Sequence, residues 1–154
     1  MKIWLFHLVC LVFFIGATCA EADTTPSLPD IEGWQCGETR SVQLDAVSGN
    51  KGYWQEKDYR TDGGIPLKAT MLWGAGPKFY NQPPAGVSNS AGQATYEIVS
   101  IGGCKSTIER DPILGYSVAV NAFEKGFSLT VECGPHIDRT ELLRSVEILL
   151  EKIT

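Results

Sequence analysis

The chain has 154 residues, 44% of them hydrophobic and 20% charged, with a formal net charge of −5 at pH 7. That length sets one domain as the default, and the acidic balance excludes a basic nucleic-acid-binding face and charge-driven docking on anionic lipid. Of the two histidines only His136 lies beyond the N-terminal segment, and no Cys-x-x-Cys pair is present, so no metal centre and no cofactor are expected.

The first residues read as a targeting segment. Lys2 supplies a minimal positive region, Ile3 to Gly16 an apolar run, and Ala17 to Ala22 small residues suited to cleavage after Ala20 or Ala22. The apolar run is too short to span a bilayer. Residues 1–22 are therefore expected to be a signal peptide, 23–29 an exposed linker and 30–154 a single domain, with no transmembrane span in the mature chain. The mature protein is then periplasmic or extracellular. Cys19 raises lipidation as an alternative, but Thr18 precedes it where lipoprotein signals carry Gly, Ala or Ser.

Ile31 and Trp34 are expected to tuck under the core where the chain reaches the domain. Thr39 to Leu44 reads as a strand with Val42 and Leu44 inward. Tyr53 to Tyr59 alternates imperfectly but is rich in β-favouring aromatics. Thr61-Asp62-Gly63-Gly64 is a hairpin signal, and Leu67 to Trp73 the returning strand. Gly74 to Gln93, with Pro77, Pro83, Pro84 and four glycines, is one long irregular segment, of the kind that usually binds or moves.

From Tyr96 the pattern sharpens. Tyr96–Ile101 and Cys104–Glu109 are β-compatible, and Tyr116–Asn121 and Phe127–Cys133 alternate with the period of two of a half-buried strand. Gly102-Gly103, Asp111 to Gly115 and Phe123 to Gly126 are the turns between them. Leu142, Leu143, Val146, Leu149, Leu150 and Ile153 then fall on one stripe of a 3.6-residue period, preceded by Asp138 as N-cap, Glu141 three positions on, and an Ile137–Leu142 staple. The expectation is an α+β fold: a single antiparallel sheet of about six or seven strands packed by a C-terminal amphipathic helix.

Cys36, Cys104 and Cys133 remain after cleavage, and export permits a disulfide. Cys104 and Cys133 belong at opposite ends of the sheet, beyond the ~7 Å Cα separation a bridge tolerates. Cys36 is therefore the partner in any bridge the chain makes, with Cys36–Cys133 the favoured pair, the alternative being that the cysteines are small buried apolar residues.

No catalytic constellation is legible. His136 sits alone before the helix, no Gly-x-Ser-x-Gly elbow frames Ser88 or Ser90, Trp73 to Lys78 lacks phosphate-loop spacing, and Glu56, Asp58 and Asp62 lack calcium-loop spacing. The aromatics Tyr53, Trp54 and Tyr59 on one hairpin and Phe79 and Tyr80 in the long segment are the candidate binding residues.

The Gly33-Trp34 lead-in, the antiparallel strands and the helix ending the chain resemble the Mog1/PsbP-like fold. That resemblance implies an accessory or binding role for an unidentified protein or small molecule, and transfers no site residue. The expected function is an exported, non-enzymatic binding domain. The alternatives are a small periplasmic enzyme with a carboxylate/His site and a lipid-anchored envelope protein.

Overall fold

The computed structural model describes residues 26–45, 51–74 and 94–153. The signal segment, Cys19, and the long segment beyond Gly74 with Phe79 and Tyr80 lie outside the described residues. Among the described residues eight strands form one antiparallel sheet: β1 (Gln35–Cys36), β2 (Arg40–Asp45), β3 (Lys51–Arg60), β4 (Pro66–Gly74), β5 (Thr95–Ile101), β6 (Cys104–Asp111), β7 (Gly115–Ala122) and β8 (Phe127–Cys133). The one α-helix among the described residues, α1 (Arg139–Lys152), follows β8. The two-residue β1 is the strand that the sequence does not announce; it is too short to show a period.

The strand order is β1-β3-β4-β8-β7-β6-β5, with β2 also on β3. Two meanders, β2-β3-β4 and β5-β6-β7-β8, are joined where β4 meets β8 in continuous register from Leu67↔Cys133 to Trp73↔Phe127. The alternation in each strand then sorts the residues. Leu67, Ala69 and Met71 stand beside Cys133, Val131 and Leu129, which stand beside Tyr116, Val118 and Val120. Nearly all of these are buried in one cluster with Leu142, Val146 and Leu149 of α1. Side chains of this size stabilise by about 1.5–3 kcal/mol each when fully buried, so the stripe is what holds α1 to the sheet.

Asp138 caps α1: its Oδ1 accepts from the backbone N–H of Thr140 at 2.8 Å and of Glu141 at 3.3 Å. The Glu141 carboxylate lies against Gly63 in the β3–β4 turn. Arg139 reaches Glu97 of β5 at 2.7 Å, so the first turn of the helix is anchored to both sides of the sheet. At the far end Leu150 presses on the β5–β6 turn, where Gly102 has φ +54°; a Cβ there would stand 2.6 Å from Leu150 Cδ2. Ile148, off the stripe, is half-buried against the same core.

Two features differ from expectation. Val42 and Leu44 do not point inward: Val42 pairs with Trp54 on the face away from α1, and Val42 is 51% and Leu44 37% exposed. The period of two is present, but β2 is an edge strand beyond the helix, so neither parity gains a core. The end of the expected linker is folded. Leu28 is buried, and three polar side chains on the inner face of β3 hold the segment around it. Gln55 Oε1 accepts from Leu28 N at 3.0 Å, Lys57 Nζ donates to Leu28 O and pairs with Asp30, and Tyr59 Oη donates to Pro29 O at 2.9 Å. Ile31 is buried, and Trp34 stands edge-on to Tyr59 with ring centroids 5.8 Å apart.

Candidate functional site

The aromatic group expected on β3 is divided by the pleat. Tyr53 and Tyr59 point to the helix side and Trp54 to the other, because neighbouring strand residues alternate. Tyr53 stacks on Trp73 at 4.5 Å, and Tyr59 is buried with its hydroxyl bonded to Pro29. Burial raises the Tyr59 phenol well above the ordinary tyrosine range. Tyr59 is thus part of the fold's interior, and Trp54 lies between Val42 and Leu72. Tyr53, Trp54 and Tyr59 do not form one patch.

The expected Cys36–Cys133 bridge is not made; Cys36, Cys104 and Cys133 are all free. Cys36 stands beside Tyr59, Tyr59 beside Leu67, and Leu67 beside Cys133, which puts three strand spacings, about 14 Å, between the two thiols. That is twice the reach of a disulfide. Sequence geometry could separate Cys104 from Cys133 because both lie in one meander, but could not see that β3 and β4 intervene before Cys36.

The structure instead offers an open groove of about 820 Å³ at the end of the sheet where β8 leads into α1. Its floor is a row of cross-strand neighbours on the face away from the helix. Asp58 stands opposite Lys68, Lys68 opposite Glu132, Glu132 opposite Ser117, and Ser117 opposite Glu109. Around this row the charges are partly engaged. Asp58 accepts from Arg40 at 3.2 Å, Lys68 lies 3.7 Å from Glu56, and Tyr96 Oη donates to Glu109 at 3.0 Å. Ser117 therefore lies between two carboxylates, with an ammonium one strand beyond. Such a row can accept from and donate to an extended peptide or a polar small molecule.

One lip of the groove is apolar. In the β6–β7 turn Ile113 is 70% exposed and Leu114 79%, and Leu114 lines the groove. The turn is fixed by Asp111, whose Oδ1 accepts from Ile113 N at 2.7 Å and Leu114 N at 2.9 Å. These bonds, that from Leu114 foremost, hold the Asp111 carboxyl below the usual carboxylate range. Gly115 follows at φ +110°, where β7 passes so close to β8 that any Cβ would collide with the Cys133 carbonyl and Gly134. Two large aliphatic side chains held in water by a rigid turn forgo about 1.5–3 kcal/mol each, recoverable when a partner covers them.

Cys133 lines the groove, but burial pushes its thiol up to about 11, which keeps it protonated and a poor nucleophile at neutral pH. His136 is exposed in the turn before α1 and is not among the groove residues. Among the described residues no three His, Cys, Asp or Glu side chains are placed to hold a metal ion, and no helix is long and apolar enough to cross a membrane. Sequence reasoning missed the groove because its floor is assembled from strands of both meanders; the local signal was the solvent-facing Ile113-Leu114 pair inside a turn motif.

Comparison with protein-family models, with curated proteins and with solved structures finds no match to this chain.

Proposed function

We propose that this protein is an exported, non-enzymatic binding domain that takes an extended segment of a partner, or a ligand of similar polarity, in the groove between β3 and β6. The observation that carries this reading is the juxtaposition of the Asp58–Lys68–Glu132–Ser117–Glu109 row with the exposed lip Ile113-Leu114. An apolar anchor beside a line of directional polar groups is the usual composition of a recognition site. The signal-like N-terminus and the resemblance to the Mog1/PsbP-like fold support the same reading, and Cys19 leaves lipid anchoring as the alternative route to the envelope.

The test is selection from a displayed random-peptide library, followed by mapping of the bound peptide by NMR shift perturbation. Perturbations centred on Leu114, Ser117 and Glu132 are expected. Selected peptides whose footprint lies elsewhere, or no binder at all, would count against the groove.

A further inference from the structure

Among the described residues nothing covers the outer edge of β2. All six of its residues are exposed, among the described residues it pairs with β3 alone, and that pairing runs without a bulge from Arg40↔Glu56 to Asp45↔Lys51. Its centre, Ser41-Val42-Gln43-Leu44, carries no charge and no proline. Sheet edges are normally blunted by lysine, proline, bulges or a covering element, because their outward N–H and C=O groups template another strand. Here Val42 and Leu44 add an exposed apolar stripe on one face, and Val42 continues the row Leu72–Trp54.

We propose that β2 pairs antiparallel with β2 of a second copy of this chain, about a two-fold axis passing through Gln43 normal to the sheet. The strand is complementary to itself in that register. Val42 stands opposite the copy's Leu44, and Leu44 opposite the copy's Val42, so the apolar row Leu72–Trp54–Val42 runs on across the junction. On the other face Gln43 meets the copy's Gln43, and two carboxamides can each donate and accept. Ser41 stands opposite the copy's Asp45. The strand's own charges, Arg40 and Asp45, cancel, so the chain's net −5 is not concentrated at this edge. Such an isologous contact closes on itself and leaves both helices on one side. A six-residue junction is small against the ~1,200 Å² of a stable interface, so the dimer is concentration-dependent, with Kd on the order of 10–100 μM. This inference rests on β2 and is independent of the groove.

The test is sedimentation velocity of the purified protein across that concentration range, together with oxidative cross-linking of single-cysteine additions read against the unsubstituted protein. A monomer–dimer equilibrium is expected. Gln43→Cys should give a new disulfide-linked dimer and Ser41→Cys none, because Ser41 lies roughly 13 Å along the strand from its copy. Val42→Lys with Leu44→Lys should cut the dimer fraction at least ~tenfold with little change in melting temperature, since both side chains are already exposed, Val42 at 51% and Leu44 at 37%, and a lysine stem can cover the same neighbours. A monomer at every concentration, a dimer that survives the lysine pair, or cross-linking through Ser41→Cys in preference to Gln43→Cys would each overturn the proposal.

Discussion

The Lys57 ammonium lies 2.5 Å from the Asp30 carboxylate while the lysine residue itself is 5% exposed. The pair closes the N-terminal segment over β3, with the charge of Lys57 also lying 5.7 Å from the Tyr59 ring centroid. Asp30 is the solvent-facing partner, and Lys57 is the one whose charge has left water. Removing the carboxylate therefore strands an ammonium that cannot be rehydrated without opening the segment. Asp30→Asn should lower the melting temperature, and Lys57→Met added to it should restore most of the loss. Equal melting of wild type and Asp30→Asn would contradict this role.

The acid limb of stability follows from two carboxyls held low. The Lys57 hydrogen bond, then its charge, lowers the Asp30 pKa, and the Leu114 and Ile113 backbone N–H groups lower that of Asp111. A depressed carboxyl contributes stability that is present above its unfolded value of about 3.9 and is lost as the pH falls through the folded value. The wild type should lose stability more steeply below about pH 4 than the Asp30→Asn, Asp111→Asn double variant. Circular dichroism melts at stepped pH would check this; parallel curves would refute it.

The alkaline limb has the opposite sign. Cys133, raised to about 11 by burial, keeps its proton in the fold beyond the point where the unfolded thiol ionises. Its contribution is complete below about pH 8.5 and is lost as the pH rises toward the folded value. The same burial slows its chemistry. Brief iodoacetamide treatment at neutral pH, read by peptide mass spectrometry, should label Cys36 and Cys104 before Cys133. Labelling of Cys133 first would place that side chain in water.

The helix stripe carries the core. Leu149 has no exposed surface, so Leu149→Ala should cost about 2–5 kcal/mol in a denaturant titration. Asp138→Ala, which removes the cap on Thr140 and Glu141, should cost about 0.5–2 kcal/mol. A cap variant more damaging than the core variant would reverse the assignment.

What the sequence made legible is what a local period can encode. The 3.6-residue stripe from Leu142 and the alternation of Tyr116–Asn121 and Phe127–Cys133 predict α1, β7 and β8 within a residue or two. β3 looked irregular for a physical reason: its inward positions include Gln55 and Lys57, polar residues buried because they hold Leu28 and Asp30, a partner far away in sequence. β2 shows a period but not which parity is inward, since an edge strand buries neither. The groove depends on the β4–β8 register, which no local pattern announces, so the β3 aromatics stand out in the sequence while the exposed Ile113 and Leu114 do not.

The most direct measurement of the central claim is the affinity of a library-selected peptide for the wild type and for Ser117→Arg. Ser117 is half-buried in the polar row between Glu132 and Glu109, on the face away from the core, so an arginine there fills the groove without entering the fold. The account predicts at least a ~tenfold weaker Kd, about 1.4 kcal/mol or more, with an unchanged melting temperature. Undiminished affinity in a fully folded Ser117→Arg protein would show that the groove is not where this domain binds.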